Sequence, residues 1–131
     1  MASIFTKIIQ GDIPCYKILE DADFIAFLDI SPVALGHTLV VPKMEVDNIF
    51  DLPEEILTKY LITSKRVAKA LEIVVPCNRI GISVIGLEVP HAHMHLIPIS
   101  ELNDMDFAKP RVKITAEKMA QLAKSIASEI K

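Results

Sequence analysis

At 131 residues, 51% of them apolar and 24% charged, the chain has the length of one domain and enough apolar surface for a packed core, which excludes general disorder. Fourteen Lys and Arg against seventeen Asp and Glu give a formal charge of -3, and the basic residues are scattered, so nucleic acid is not an expected partner. No apolar run approaches the roughly 18 residues of a membrane span, and Met1 to Gln10 lack the basic region and long apolar stretch of an export signal. A cytoplasmic protein with no membrane partner is expected.

In chain order, Ser3 can cap a short helix whose apolar face is Ile4, Phe5, Ile8 and Ile9, with Gly11 and Pro14 ending it. Cys15–Glu20 and Asp23–Asp29 read as two strands joined by a tight turn at Asp21 and Ala22. Leu39–Val41 is a third strand, entered from a turn over Ser31–Gly36 and closed by Pro42. Asp51 and Glu54 have the spacing of a capping box. The long helix they would open carries the stripe Ile56, Leu57, Tyr60, Leu61, Ser64, Val67, Ala68 and Leu71. Arg79–Val84 and Val89–Ile97 are the fourth and fifth strands, and Thr115 can cap a last helix with the stripe Met119, Leu122, Ala123, Ile126 and Ile130. Helix, strands, helix, strands, helix is the order of an antiparallel α+β fold. Cys15 and Cys77 are expected as small core residues rather than a disulfide or a nucleophile.

Three of the four histidines fall within five consecutive positions, in Pro90-His91-Ala92-His93-Met94-His95-Leu96-Ile97-Pro98. On a strand, His91, His93 and His95 share one face, while Ala92, Met94 and Leu96 point to the other. Three readings compete for such a row. It could be an ordinary solvated face, although His is uncommon there. It could be a metal site, with His37 as a further ligand, although no Cys pair or carboxylate stands at a recognisable ligand spacing. Or it could be a nucleophilic centre, one imidazole attacking phosphorus while its neighbours orient it, bind developing charge and supply a proton.

His91 to Ile97 resembles the His-x-His-x-His signature of the histidine triad (HIT) superfamily of nucleotide hydrolases and transferases. Ile4–Pro14, Phe27–Pro32 and Gly36–Lys43 support the resemblance in the same order, over about residues 3–99. It implies one HIT domain over 1–131, with a five-stranded antiparallel sheet, a short N-terminal helix, a long central helix and a C-terminal helical extension over about 100–131. It assigns the nucleophile to His93, oriented by the backbone carbonyl of His91. His95 and His37 would lie around the phosphate oxygens and leaving group, and metal is not needed if backbone N–H groups and protonated imidazoles bind the phosphoryl oxygens. Asp29 would receive the ribose hydroxyls, and Ile4, Phe5, Ile8, Phe27, Ile30 and Leu39 would enclose a purine. Glu88 falls in the nucleotide-binding stretch before the triad.

The expected activity is hydrolysis of nucleoside 5′-phosphate conjugates such as phosphoramidates, without a cofactor. The alternatives are cleavage of diadenosine polyphosphates, or purine-nucleotide binding with little turnover. A homodimer formed through the long helix and a strand edge is also implied.

The chain departs from the family pattern in several places. Zinc-bearing bacterial members carry a Cys pair where Ser3 and Thr6 stand, and a histidine near Met44 and Glu45, so metal is not expected. Leu87 replaces a usual Gln, and Ile80 or Ser83 stands where an Asn or Gln is usual. No Trp is present for a Trp-Pro tail, so substrate choice by the tail does not carry over.

Overall fold

The computed structural model describes residues 2–131. Helix α1 (Ile4–Ile9) is followed by strands β1 (Lys17–Glu20), β2 (Phe24–Leu28) and β3 (Thr38–Pro42). Then come the long helix α2 (Glu54–Val74), strands β4 (Arg79–Ser83) and β5 (Met94–Ile99), and helix α3 (Ala116–Ser128). The sheet runs β1-β2-β3-β5-β4, and every neighbouring pair is antiparallel. This is the expected five-stranded α+β fold.

Strand alternation sorts the apolar residues onto two faces. Phe24, Ala26 and Leu28 of β2, Val40 of β3 and Met94 and Leu96 of β5 join the core with Tyr60, Val67 and Leu71 of α2 and Met119, Ala123 and Ile126 of α3. Ile25 and Phe27, with Leu39 and Val41, point the opposite way and pack with Phe5 of α1. The helices α2 and α3 thus cover one face, and α1 covers only part of the other. The ligand cavity lies in what remains of that second face.

The caps at both ends of the chain form as read. Ser3 Oγ accepts from the Thr6 N–H at 3.0 Å, and Thr115 Oγ1 accepts from the Lys118 N–H at 3.2 Å. The Asp21 carboxylate closes the β1–β2 turn by accepting from the Asp23 and Phe24 amides.

Four expectations need correction. Asp51 does not cap α2: it ends a 3₁₀ turn over Ile49–Asp51 that Asn48 caps, and Pro53 stands at the helix entry. Pro53 holds Leu52 in extended backbone, which carries the chain away before the helix begins. Leu61 is 57% exposed and leaves the stripe, whose buried line runs instead through Tyr60, Thr63, Ser64, Val67, Ala70 and Leu71. Strand β5 opens at Met94 rather than Val89, because the His91 N–H bonds to Val89 O at 2.8 Å and the Ala92 N–H to Val46 O at 2.7 Å, outside the ladder. Cys15 and Cys77 are unpaired but only half-buried, so neither is a full core residue.

Candidate functional site

Although β5 begins late, the alternation persists through the residues before it. Ala92 joins Met94 and Leu96 in the core against α2, while the ring of Phe5, on the opposite face, meets His91 at 5.8 Å and His93 at 4.9 Å between centroids. His93 and His95 follow one another at 5.1 Å. Register sets His95 opposite Leu39 of β3 and Ser83 of β4, at the centre of the cavity-side face.

The hydrogen bonds determine where each proton sits, because a neutral imidazole has one N–H and one lone pair. His93 Nδ1 donates to His91 O at 2.8 Å, so the lone pair is on Nε2. His37 Nδ1 accepts from the Val33 N–H at 3.1 Å, so its proton is on Nε2 and is donated to His95 Nδ1 at 2.9 Å. His95 therefore carries its own proton on Nε2. His91 Nε2 donates to Pro42 O at 2.8 Å and its Nδ1 accepts from the Ser3 hydroxyl at 2.7 Å. Burial is the main force keeping His37 and His95 neutral: it pushes their pKa values down to about 3 and about 4, with the neighbouring imidazoles and Arg111 adding to the effect. His95 therefore offers a neutral Nε2–H, rather than the protonated imidazole expected, to a phosphoryl oxygen, while the His37 N–H is taken up by His95.

A cavity of about 430 Å³ opens over this row, a size that suits a small ligand. Its apolar wall includes Ile4, Phe5, Ile8, Phe27, Ile30 and Leu39, and its polar groups include Asp29, Glu88, His93 and His95. Ile30 is 79% exposed and contributes at the rim. Burial raises the Asp29 pKa, with the Ser31 N–H bond to its carboxylate and the Arg111 charge opposing. His37 and His91 do not reach the cavity. His37 stands one ring behind His95, where the sequence had placed it around the leaving group, and His91 stands behind His93.

Two parts of the site escaped the sequence reading. The first is a cluster behind His91. Glu45 Oε1 accepts from the Ser3 N–H at 2.7 Å and from the Thr6 hydroxyl at 2.6 Å, which lowers the Glu45 pKa to about 2. Ser3 then links this carboxylate to the His91 ring. The second is the loop after β5, where Phe107 meets the rings of His95 at 4.9 Å and His37 at 5.9 Å, and Arg111 joins the cavity wall. The signal available was a Phe and an Arg in an otherwise polar stretch, Asp106-Phe107-Ala108-Lys109-Pro110-Arg111.

Neither cluster of donors suits zinc. Asp29, His37 and His95 present atoms within 4.8 Å of one another. Yet ligation through His37 Nε2 would move its proton to Nδ1, against the Val33 N–H. At the second cluster, Ser3 and Thr6 offer hydroxyls rather than thiolates, and the Glu45 carboxylate is already bonded to both.

The fold and the imidazole row define an α+β protein whose ligand cavity is centred on histidines. The HIT domain model matches residues 10–102. The adenosine 5′-monophosphoramidase of Schizosaccharomyces pombe is 36% identical over 137 residues, covering 100% of both chains. A crystal structure of a Hit-like protein from Bartonella henselae aligns with TM-score 0.84 and 31% identity over 98% of this chain and 96% of that one. A zinc-bound histidine triad protein from Mycobacterium smegmatis aligns with TM-score 0.81 and 27% identity over 98% and 95%. The chain belongs to the HIT, or histidine triad, family.

Proposed function

We propose that this protein hydrolyses nucleoside 5′-phosphate conjugates, phosphoramidates foremost, by nucleophilic attack of His93 on the α-phosphorus. The observation that carries this reading is the 2.8 Å bond from His93 Nδ1 to His91 O, which leaves a lone pair on Nε2 of a cavity-lining ring. In the first step the Nε2–P bond forms and the bond from phosphorus to the leaving nitrogen breaks. The departing nitrogen accepts a hydrogen bond from the His95 Nε2–H and takes its proton from solvent, so that it leaves as the amine while His95 stays neutral. In the second step water attacks phosphorus, the Nε2–P bond breaks and a proton returns to solvent, releasing a nucleoside monophosphate.

Asp29 receives the ribose hydroxyls, and the apolar wall from Ile4 to Leu39 takes a purine. Glu88 borders the nucleotide at the cavity wall. The name of the S. pombe relative supports the phosphoramidate reading. Diadenosine polyphosphate cleavage uses the same chemistry with an oxygen leaving group. The proposal extends to one domain over 1–131, acting in the cytoplasm as a homodimer without a resident metal.

Incubating the purified protein with adenosine 5′-phosphoramidate tests this directly, with AMP as the expected product. His93→Ala should lower kcat by about a thousandfold or more while AMP binding persists. A variant that kept a tenth of the rate would remove His93 as the nucleophile.

A further inference from the structure

Among the described residues of the cavity wall, Arg111 is the only Lys or Arg. Two carboxylates, Asp29 and Glu88, share that wall, and His95 is neutral. Without Arg111 the walls would repel an anionic ligand, so its position has electrostatic consequence. The loop that carries it is fixed to the Ser31–Pro32 turn at Arg111 and Val112. The Val112 N–H bonds to Pro32 O at 2.9 Å, and one guanidinium N–H reaches Ser31 O at 3.3 Å. The guanidinium carbon lies 5.6 Å from the centroid of Phe107, whose ring edge meets His95. Of the five N–H donors of a guanidinium, only one has a partner among the described residues, and no carboxylate lies within ion-pair distance.

In-line displacement sends the leaving group away from His93, and the proposed step puts it beside the His95 Nε2–H. Phe107 packs on His95 and His37, not on His93, so Phe107 and Arg111 flank the departing side.

We infer that Arg111, braced by Phe107, forms a leaving-group subsite for an oxyanion, so that the favoured conjugates release a leaving group bearing a carboxylate or a further phosphate. The inference rests on attack at the α-phosphate by His93 and assigns what lies beyond the scissile bond. An amine carrying an acid group, as in an amino acid, and a nucleotide carrying a β-phosphate both present that oxyanion. A guanidinium–oxyanion contact is worth about 1.5–3 kcal/mol, or roughly ten- to a hundredfold in the ratio of rates.

Two matched comparisons test it. The carboxylate arm measures kcat/KM for adenosine 5′-phosphoramidates of alanine and of alanine methyl ester, which differ by one negative charge. The wild type should favour the acid, and Arg111→Gln should reduce the acid-to-ester ratio about tenfold or more. The phosphate arm measures the affinities of ADP and AMP by calorimetry, and the same substitution should erase a wild-type preference for ADP.

A change in the first ratio alone identifies a carboxylate leaving group, and a change in the second alone identifies a phosphate. Equal losses on both members of each pair, or no wild-type preference in either, overturn the subsite. If wild type turned over neither phosphoramidate, the hydrolase reading would fail, and the ADP-to-AMP ratio would still decide the role of Arg111. An unchanged Tm for Arg111→Gln separates loss of an anion contact from loss of the loop anchor.

Discussion

His37 is 1% exposed and His95 8%, and burial pushes their pKa values to about 3 and about 4, against about 6.5 in an unfolded chain. Between about pH 4 and 6.5 the unfolded chain therefore binds protons that the native state does not. Stability then rises with pH through that window and is lost as pH falls through it. Asp29, whose pKa is raised by burial, acts in the opposite sense within the carboxylate range. The expected result is a Tm that declines as pH is lowered from about 6.5 to 4. Histidine NMR shifts should also show the rings of His37 and His95 neutral down to about pH 5. A midpoint near 6.5 for either ring would contradict the proton placement argued for the site.

The same two residues show where the sequence was readable and where it was not. The alternation around His93 placed the row on one sheet face, because side-chain direction on a strand is local. The protonation of His37 depends on the Val33 amide and on enclosure behind His95, which only the folded chain supplies.

At the level of elements, the turn into β3 is what delivers His37. Gly36 has φ +88, and a Cβ there would lie 2.9 Å from Val75 Cγ2 and 3.2 Å from Pro98 Cγ. Left-handed backbone and overpacking combine, so Gly36→Ala should cost about 2–4 kcal/mol. In denaturant titration this would lower the midpoint with the slope unchanged. A midpoint equal to wild type would mean that the turn is not under this constraint.

The caps of α1 and α3 were legible because Ser3 and Thr115 each bond within three residues. The start of β5 was not, because Ala92 gives its N–H to Val46, a partner that sequence proximity cannot reveal. Leu61 misled for a related reason: its apolar side chain fits the helical period only loosely, and packing selected Thr63 and Ala70 instead. Phe107 and Arg111 lay furthest from view. They stand in a loop without periodicity, and only the return of the chain past β5 brings them to residues 29–37.

At the scale of the whole molecule, the two sheet edges differ in what covers them. β1 packs against α3. β4 stands at the other edge, with Ile80 half-buried and Ile82 51% exposed. By strand alternation Ile82 lies on the face where α2 packs, and α2 itself leaves Ile62 and Ile73 exposed at 62% and 59%. An edge strand with unpaired backbone groups and outward isoleucine invites pairing with another chain. In a homodimer through β4 and α2, the backbone of one edge could pair with its symmetric copy, and Ile82 would be buried twice at one isologous contact. Sedimentation should then give about twice the 14.5 kDa chain mass. Ile82→Lys would put two like charges opposite one another at that contact and shift the protein to monomer, with its far-UV spectrum retained because Ile82 is outside the core. A wild type that sediments at the 14.5 kDa chain mass would remove the dimer, and a lysine variant that stays dimeric would place the interface elsewhere. The β4 edge and the Arg111 loop belong to different parts of the fold, since the loop is clamped to the Ser31–Pro32 turn by its own chain. The acid-to-ester preference assigned to Arg111 should consequently survive in a monomeric Ile82→Lys variant, whereas a subsite completed by a second copy would lose it on dilution.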